Sequence, residues 1–288
     1  MSKEKLVIRS PYRFRRPGFT LVEILVVIAI IAILAALVVG GVVSFMSKGP
    51  EIQTRNDLLQ LSTALDKFYA KYKFYPPDRI KLCANYSQYN VVTDKASLAY
   101  IGTMWPNLGQ FVNVPWAGGT AIPATGIVLE GEQSLVFFLG GPPVGGTTPG
   151  LMGGFSLNPR DPISLAGGVD RERFMDFDTG RLVNRPTLTY PAGHPFPSMF
   201  DRSDKRMPYV YFSSGRFGYS ATLNSWGVAP YMENATTFHQ KTRFQIISAG
   251  RDGLYGPGGV WTQATAGSMP LQGRDDMTSF YDSKMGSP

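Results

Sequence analysis

Residues 15–43 read RRPGFTLVE and then, from Ile24 to Val43, ILVVIAIIAILAALVVGGVV. No residue of the second stretch is charged or strongly polar. Its twenty residues, at 1.5 Å rise each, span about 30 Å as a helix, the thickness of the hydrocarbon core of a bilayer. Nothing else in the 288-residue chain matches that length and apolarity. Ahead of it stand Lys3, Lys5, Arg9, Arg13, Arg15 and Arg16 against Glu4 alone, and only Lys48 follows closely. This asymmetry predicts residues 1–18 in the cytoplasm and residues from about 47 onward across the membrane. A cleaved secretory signal would have a shorter apolar core and an A-x-A-like site, and there is no such triplet between Ile24 and Val43. Glu23 needs its own account, because a carboxylate inside a bilayer costs several kcal/mol unless it is paired. On the run alone, a Glu23 solvated at the interface fits equally well.

The flanking residues change that balance. Arg15-Arg16-Pro17-Gly18-Phe19-Thr20-Leu21-Val22-Glu23 resembles the processing site of type IV prepilins and type II secretion pseudopilins. The resemblance implies that a prepilin peptidase cuts between Gly18 and Phe19 and N-methylates Phe19. It also implies an assembly role for Glu23, the fifth residue of the cleaved chain. A buried amine and a buried carboxylate are each costly alone and tolerable as a pair, so Glu23 would neutralise the new terminal amine of a neighbouring subunit. The apolar helix would then leave lipid for the core of a filament, which stays open because heterologous contacts do not close. The partners implied are the peptidase, copies of the chain itself, minor pseudopilins and an inner-membrane assembly platform.

Beyond the apolar run, Gly49 is placed to cap a second helix that starts at Pro50. Leu58, Leu61, Leu65, Phe68 and Tyr72 fall on one helical face. Asp57, Asp66, Lys67, Lys71 and Lys73 fall on others, and Pro76-Pro77 stop the pattern. Gly40-Gly41 and Gly49-Pro50 weaken the helix and predict local melting or a kink. Further on, Glu130–Leu139 (EGEQSLVFFL) reads as a short helix ended by Gly140-Gly141, and Tyr209–Phe212 and Phe244–Ile247 read as strands. The fold class expected is α+β: a long N-terminal helix packed on a small antiparallel sheet with a large loop-rich insertion. The divisions expected are a leader at 1–18, removed on processing, a membrane and filament-core helix at 19–46, a stem at 47–77 and a periplasmic head at 78–288. Within the head, residues 78–203 read as a family-specific insertion.

Two stretches of the head add a second resemblance. Asp204-Lys205-Arg206-Met207-Pro208-Tyr209-Val210-Tyr211 is similar to the D-x-W-G-x-P-Y-x-Y segment of the major G-type pseudopilins, without its tryptophan and one residue shorter. Ser248-Ala249-Gly250-Arg251-Asp252-Gly253 is similar to the S-x-G-x-D-G turn that follows it. In that family the turn and a downstream acidic pair hold calcium, so the resemblance implies a Ca2+ site at Asp252, Asp275 and Asp276. Calcium takes six to eight oxygens, mixing carboxylates and carbonyls, which a Gly-rich turn exposes. Residues 254–272 would have to loop out for Asp252 and Asp275 to meet. The plainer reading is a turn at Asp252-Gly253 and a solvated acidic tail.

Other chemistries find little support. Asp176-Phe177-Asp178-Thr179-Gly180 lacks the third acid and the distal Glu of an EF-hand and reads as a surface turn. There is no G-x-S-x-G, H-E-x-x-H, P-loop or G-x-G-x-x-G, and no enzymatic activity is expected. One cysteine, Cys83, makes no intramolecular disulfide, and with His194 and His239 it is too few for a Cys/His zinc site. The first 18 residues hold five of the net +7 charges and the rest of the chain only +2, so no nucleic-acid partner is expected. Asn85-Tyr86-Ser87 and Asn234-Ala235-Thr236 match glycosylation sequons, which arise often by chance. The function expected is that of a structural pseudopilin, a piston or scaffold for type II protein secretion. The alternatives are a surface pilus subunit for adhesion, motility or DNA uptake, a membrane-anchored binding module using residues 78–203, and, weakest, an anchored enzyme.

Overall fold

Thr20 stands at the head of α1 (Leu21–Tyr72) in the computed structural model of the chain. The structure describes residues 19–110, 113–118, 121–144, 151–158, 161–164, 166–168, 170–184, 195–202, 207–220 and 222–287. The chain forms two units, Met1–Gly49 and Pro50–Pro288. In the first, Leu21–Val38 is exposed along its whole length and is long and apolar enough to cross a membrane. Helical backbone continues through Gly40-Gly41 and through Gly49-Pro50, so neither the expected melting nor a separate second helix capped by Gly49 is found. The proline costs about 3 kcal/mol in a helix interior. Beyond it Leu58, Leu61, Leu65 and Phe68 are buried on the face that their spacing predicts, and this packing holds the following turns in place. The helix stops before Pro76-Pro77: Lys73 takes a left-handed conformation (φ 65°) and its N–H donates to Tyr69 O at 2.8 Å.

Two further α-helices and a series of short strands follow α1 among the described residues. β1 (Ile80–Leu82), α2 (Lys95–Met104), β2 (Ile127–Leu129) and α3 (Gly131–Gly140) come first, with β1 and β2 antiparallel. Next come two antiparallel ribbons, β3 (Phe155–Ser156) with β4 (Arg171–Glu172) and β5 (Leu182–Val183) with β6 (Ser198–Met199). The last part holds β7 (Val210–Ser213), β8 (Tyr231–Asn234), β9 (Thr237–Phe238), β10 (Phe244–Ser248), β11 (Gly259–Val260) and β12 (Met277–Thr278). They form two sheets, ordered β12-β10-β7 and β11-β8-β9. The first is antiparallel throughout and separates two apolar cores. Tyr211, Phe244 and Ile246 face the larger core with the stem and α3. Val210, Phe212 and Ile247 face a smaller one built on Tyr231, Trp261, Met269 and Met285. Burial on both faces is why β7 and β10 are mostly apolar rather than alternating, and Gln245, the polar residue inside β10, is satisfied by exchanging bonds with the Tyr231 backbone.

α3 is buried over all ten residues. Glu130 caps it, with its N–H donating to Gln133 Oε1 at 3.2 Å, and Gly141 ends it, as the sequence predicts. Its first residue lies so close to β7 that a Cβ on Gly131 would sit 2.0 Å from Tyr211 O. Glu132 is buried here too. Trp226 Nε1 donates to its Oε1 at 3.0 Å, while its Oε2 has no hydrogen-bond partner. Burial, together with the Glu130 charge, pushes its carboxyl up to about 7. The folded state therefore holds this proton more tightly than the unfolded chain does. The stabilisation is complete below about pH 4.5 and is lost as the pH rises through about 7. We expect the melting temperature to fall between pH 5 and 8 in the native chain and to fall less in Glu132→Gln, the difference amounting to about 3 kcal/mol. Parallel pH profiles of the two would remove Glu132 as the cause.

The stem is fastened to the head at both of its ends. Asp57, which the sequence places on a polar face, is buried, and Arg181 grips it with two bonds of 2.9 and 2.7 Å. Tyr209 OH donates to the same carboxylate at 2.9 Å. One turn earlier, Thr54 and Ser248 donate to the buried Asp201. Arg55 Nη1 donates to Thr278 O at 3.0 Å and Tyr281 O at 2.8 Å, and Lys284 pairs with Glu51. At the far end Arg243 and Asp66 form an exposed pair, in which Nη2 alone reaches both carboxylate oxygens. Residues 78–203 supply α3 and Arg181, so this stretch is built into the centre of the head.

Candidate functional site

Two groups of residues carry the expected chemistry. At the N-terminus, Gly18 lies outside the described residues. Phe19 is exposed, and Thr20 and Glu23 form a reciprocal cap on α1. The Glu23 N–H donates to Thr20 Oγ1 at 3.2 Å, and the Thr20 N–H and hydroxyl donate to Glu23 Oε2 at 2.9 and 3.0 Å. This is a capping box, with threonine at the cap and glutamate three residues on. The spacing Thr20-Leu21-Val22-Glu23 is the sequence signal for this cap, a second use of Glu23 beside the expected assembly role. Glu23 thus satisfies one of the helix's unpaired N-terminal donors and places its carboxylate beside Phe19.

The second group is the acidic turn. Gly250 has φ 62° and lies so close to the downstream pair that a Cβ on it would be 2.3 Å from Asp275 O. Asp275 Oδ2 accepts from the Arg251 and Asp252 amides at 2.6 and 3.0 Å. Asp276 is fully buried. Its Oδ2 accepts from the Gly256 amide at 2.8 Å, and its Oδ1 has no hydrogen-bond partner. Burial, and then the charges of Asp275 and Asp252, push the Asp276 carboxyl up to about 8. The turn and the acidic pair therefore meet. The intervening residues do more than loop out: they form β11 and give Trp261, Ala266 and Met269 to the smaller core. Among the described residues, no three Asp, Glu, His or Cys side chains are grouped as a metal cluster.

Residues 13–43 match the family model described as the prokaryotic N-terminal methylation motif. The type IV major pilin protein PilA of Myxococcus xanthus is 34% identical to the chain over 62 residues, 22% of this chain and 28% of that protein. The type II secretion system core protein G of Pectobacterium carotovorum is 38% identical over 63 residues, 22% of this chain and 40% of that protein. The core protein G of Aeromonas hydrophila is 39% identical over 62 residues, 22% of this chain and 43% of that one. The N-terminal part of the chain is thus similar to that of type IV pilins and type II secretion pseudopilins. The match spans less than half the length of each of these relatives. No solved structure matches.

The buried Asp276 Oδ1 is the atom against which an expected calcium ion would be tested. It is an acceptor shut away from water with nothing to accept from, beside two further carboxylates. Asp252 and Asp276, with backbone carbonyls of the Gly-rich turn, are the donors that would hold the ion. Carbonyl donors are ordinary for calcium, which does not need three clustered carboxylates. The ion's charge would favour the ionised form of Asp276 and pin the turn to the acidic pair. Asp178, in the stretch set aside as an incomplete calcium loop, accepts from the Gly180 amide at 3.0 Å in a surface turn, as expected.

Proposed function

We propose that the chain is a structural subunit of a type II secretion pseudopilus, made as a membrane-held precursor and polymerised after processing. The observation that carries this reading is the run Gly18-Phe19-Thr20-Leu21-Val22-Glu23 placed directly at the head of an exposed apolar helix. Prepilin peptidase cleaves between Gly18 and Phe19 and methylates the new amine. The precursor sits in the inner membrane with residues 1–18 cytoplasmic and the head outside. On assembly, Glu23 of one subunit meets the Phe19 amine of its neighbour, and the apolar helices exchange lipid for one another. Mass and N-terminal analysis of the protein from its own cells tests the reading. A chain beginning at methylated Phe19 is expected. A chain that keeps residues 1–18 in cells with active peptidase would overturn it.

A surface pilus is the second reading, favoured by the likeness to a type IV major pilin. The acidic turn supports the pseudopilus instead, and with it we propose calcium as a ligand of the head. Isothermal titration of calcium into the full chain in detergent should give saturable heat. Asp252→Ala should weaken binding at least about tenfold, the cost of one lost charged ligand contact. No heat, or heat unchanged by the substitution, removes the site.

A further inference from the structure

Residues 224–228 form a turn closed on itself. The Asn224 N–H donates to Val228 O and the Gly227 N–H to Asn224 O, both at 3.0 Å. Asn224 Oδ1 accepts from the Trp226 and Val228 amides, also at 3.0 Å. The turn is clipped to the start of α3 through two carboxylates. Glu130 Oε2 accepts from the Ser225 amide at 3.1 Å and from the Ser225 hydroxyl. Glu132 Oε1 accepts from the Trp226 indole at 3.0 Å.

The two clips differ in kind. Glu130 has a counter-charge, Arg79, at 3.2 Å. Glu132 is buried and has none among the described residues. Besides Trp226 it meets the neutral Gln133 amide at 3.4 Å, and its Oε2 has no hydrogen-bond partner. A carboxyl so placed is tolerated while neutral and costly once ionised, since one indole donor does not replace a hydration shell. Burial is the leading cause that pushes it up to about 7, against the bond from Trp226.

Little else nearby titrates. Of the strands packed on α3, β2 and β6 hold no ionisable residue, and β7 holds Tyr211, whose hydroxyl donates to Pro76 O at 2.9 Å. Residues 224–228 hold none, and Tyr255, packed on the Trp226 ring, donates to Pro208 O. Asp78 is a further buried carboxyl at this end of α3. It accepts from the Ser213 amide at 3.3 Å, and burial pushes it up to about 6.

We propose that Glu132 is a proton-operated latch: protonated, it holds residues 224–228 on α3, and ionised, it takes up water at Oε2 and lets this turn swing off with Trp226. Trp226 is only half-buried and covers Glu132 from the side of the turn, which is where water enters. Because the turn is tied within itself, it moves as a unit. α3 stays, held by ten buried residues. The head thus presents two surfaces, one on each side of neutral pH, whether or not it is part of a filament.

Trp226 reads the latch directly. The test is tryptophan emission and acrylamide quenching of the full chain in neutral detergent, from pH 5 to 9 and well below the melting temperature. Trp226→Phe gives the blank for Trp105, Trp116 and Trp261. The folded, closed state holds the proton more tightly than the open one. The open-to-closed ratio should therefore rise about tenfold per pH unit between about 4.5 and 7 and level off above. The Trp226 share of the emission should turn red-shifted and quenchable over the same range. In Glu132→Gln the amide keeps the indole bond and has no proton to lose, so the profile should be flat and closed, while Asp78→Asn should keep the transition. Hydrogen exchange of the native chain is the second measurement: residues 224–228 should exchange faster at pH 8 than at pH 6, after correction for the intrinsic rate, with α3 protected at both. A Trp226 equally shielded at pH 5 and 9 would overturn the proposal and leave Glu132 a contributor to stability alone. So would a transition that persists in Glu132→Gln, or unchanged exchange of residues 224–228.

Discussion

Glu23→Gln is expected to leave cleavage, membrane insertion and the α1 cap intact while abolishing filaments. Glutamine serves in a capping box as glutamate does, so the bonds exchanged with Thr20 survive. What is lost is the charge. An ammonium left unpaired on moving into an apolar filament core costs about 3–5 kcal/mol, a factor of about 10²–10⁴ in association. Thr20→Ala makes the opposite cut: it gives up about 1 kcal/mol of capping and keeps the carboxylate, so it should still assemble. Glu23→Ala combines both losses and cannot tell them apart. Electron microscopy of sheared filaments from the three strains, beside N-terminal analysis of each subunit, checks the prediction. Filaments in normal amount from Glu23→Gln would show that the glutamate acts only as a cap.

The second large effect is expected at a buried carboxylate of the stem, Asp57. Arg181→Ala should lower the stability of the head by about 3 kcal/mol, the low end for a broken buried pair, because Asp57 keeps only the Tyr209 bond and a longer contact with Arg202 at 3.7 Å. For a unit of this size the melting temperature should drop by roughly 10 °C. Asp57→Asn together with Arg181→Met should recover much of the loss, since it removes both charges and keeps the volume. By contrast, the exposed pair Asp66–Arg243, in which Nη2 alone reaches both carboxylate oxygens, should matter by less than about 1 kcal/mol. Differential scanning calorimetry of the native chain and these variants checks both expectations.

How much was legible in the sequence follows from how local each signal is. The apolar run, the Leu58–Phe68 face, the ends of α3 and the pairing-competent strands β7 and β10 are written in residues a few positions apart, and the structure has them where they were expected. Asp57 could not be placed in the same way. On a helical wheel it borders the apolar face, and the groups that make its burial tolerable, Arg181 and Tyr209, lie 124 and 152 positions away. The reach of 254–272 was misjudged for a similar reason: Trp261 anchors a second core whose other members come from β7, β10 and Met285. At Gly49-Pro50 the packing of the following stem residues outweighs local propensity, whereas nothing in the structure explains the helical backbone at Gly40-Gly41. The cap at Thr20 was legible and was passed over, because attention to the carboxylate as a partner for another chain hid its use within its own.

The bonds from Arg55 to Thr278 and Tyr281, and from Lys284 to Glu51, join positions separated by 223, 226 and 233 residues. Contacts of that reach form late, because the entropy of closing so long a loop is spent before any contact rewards it. The start of the stem is therefore among the first parts of the head to be synthesised and among the last to find its final neighbours. Until residue 284 has emerged, Glu51 and Arg55 lack these partners, while the apolar face beyond them packs with α3 and other earlier residues. The polar start of the stem is thus the part of the head that other chains and chaperones can reach longest.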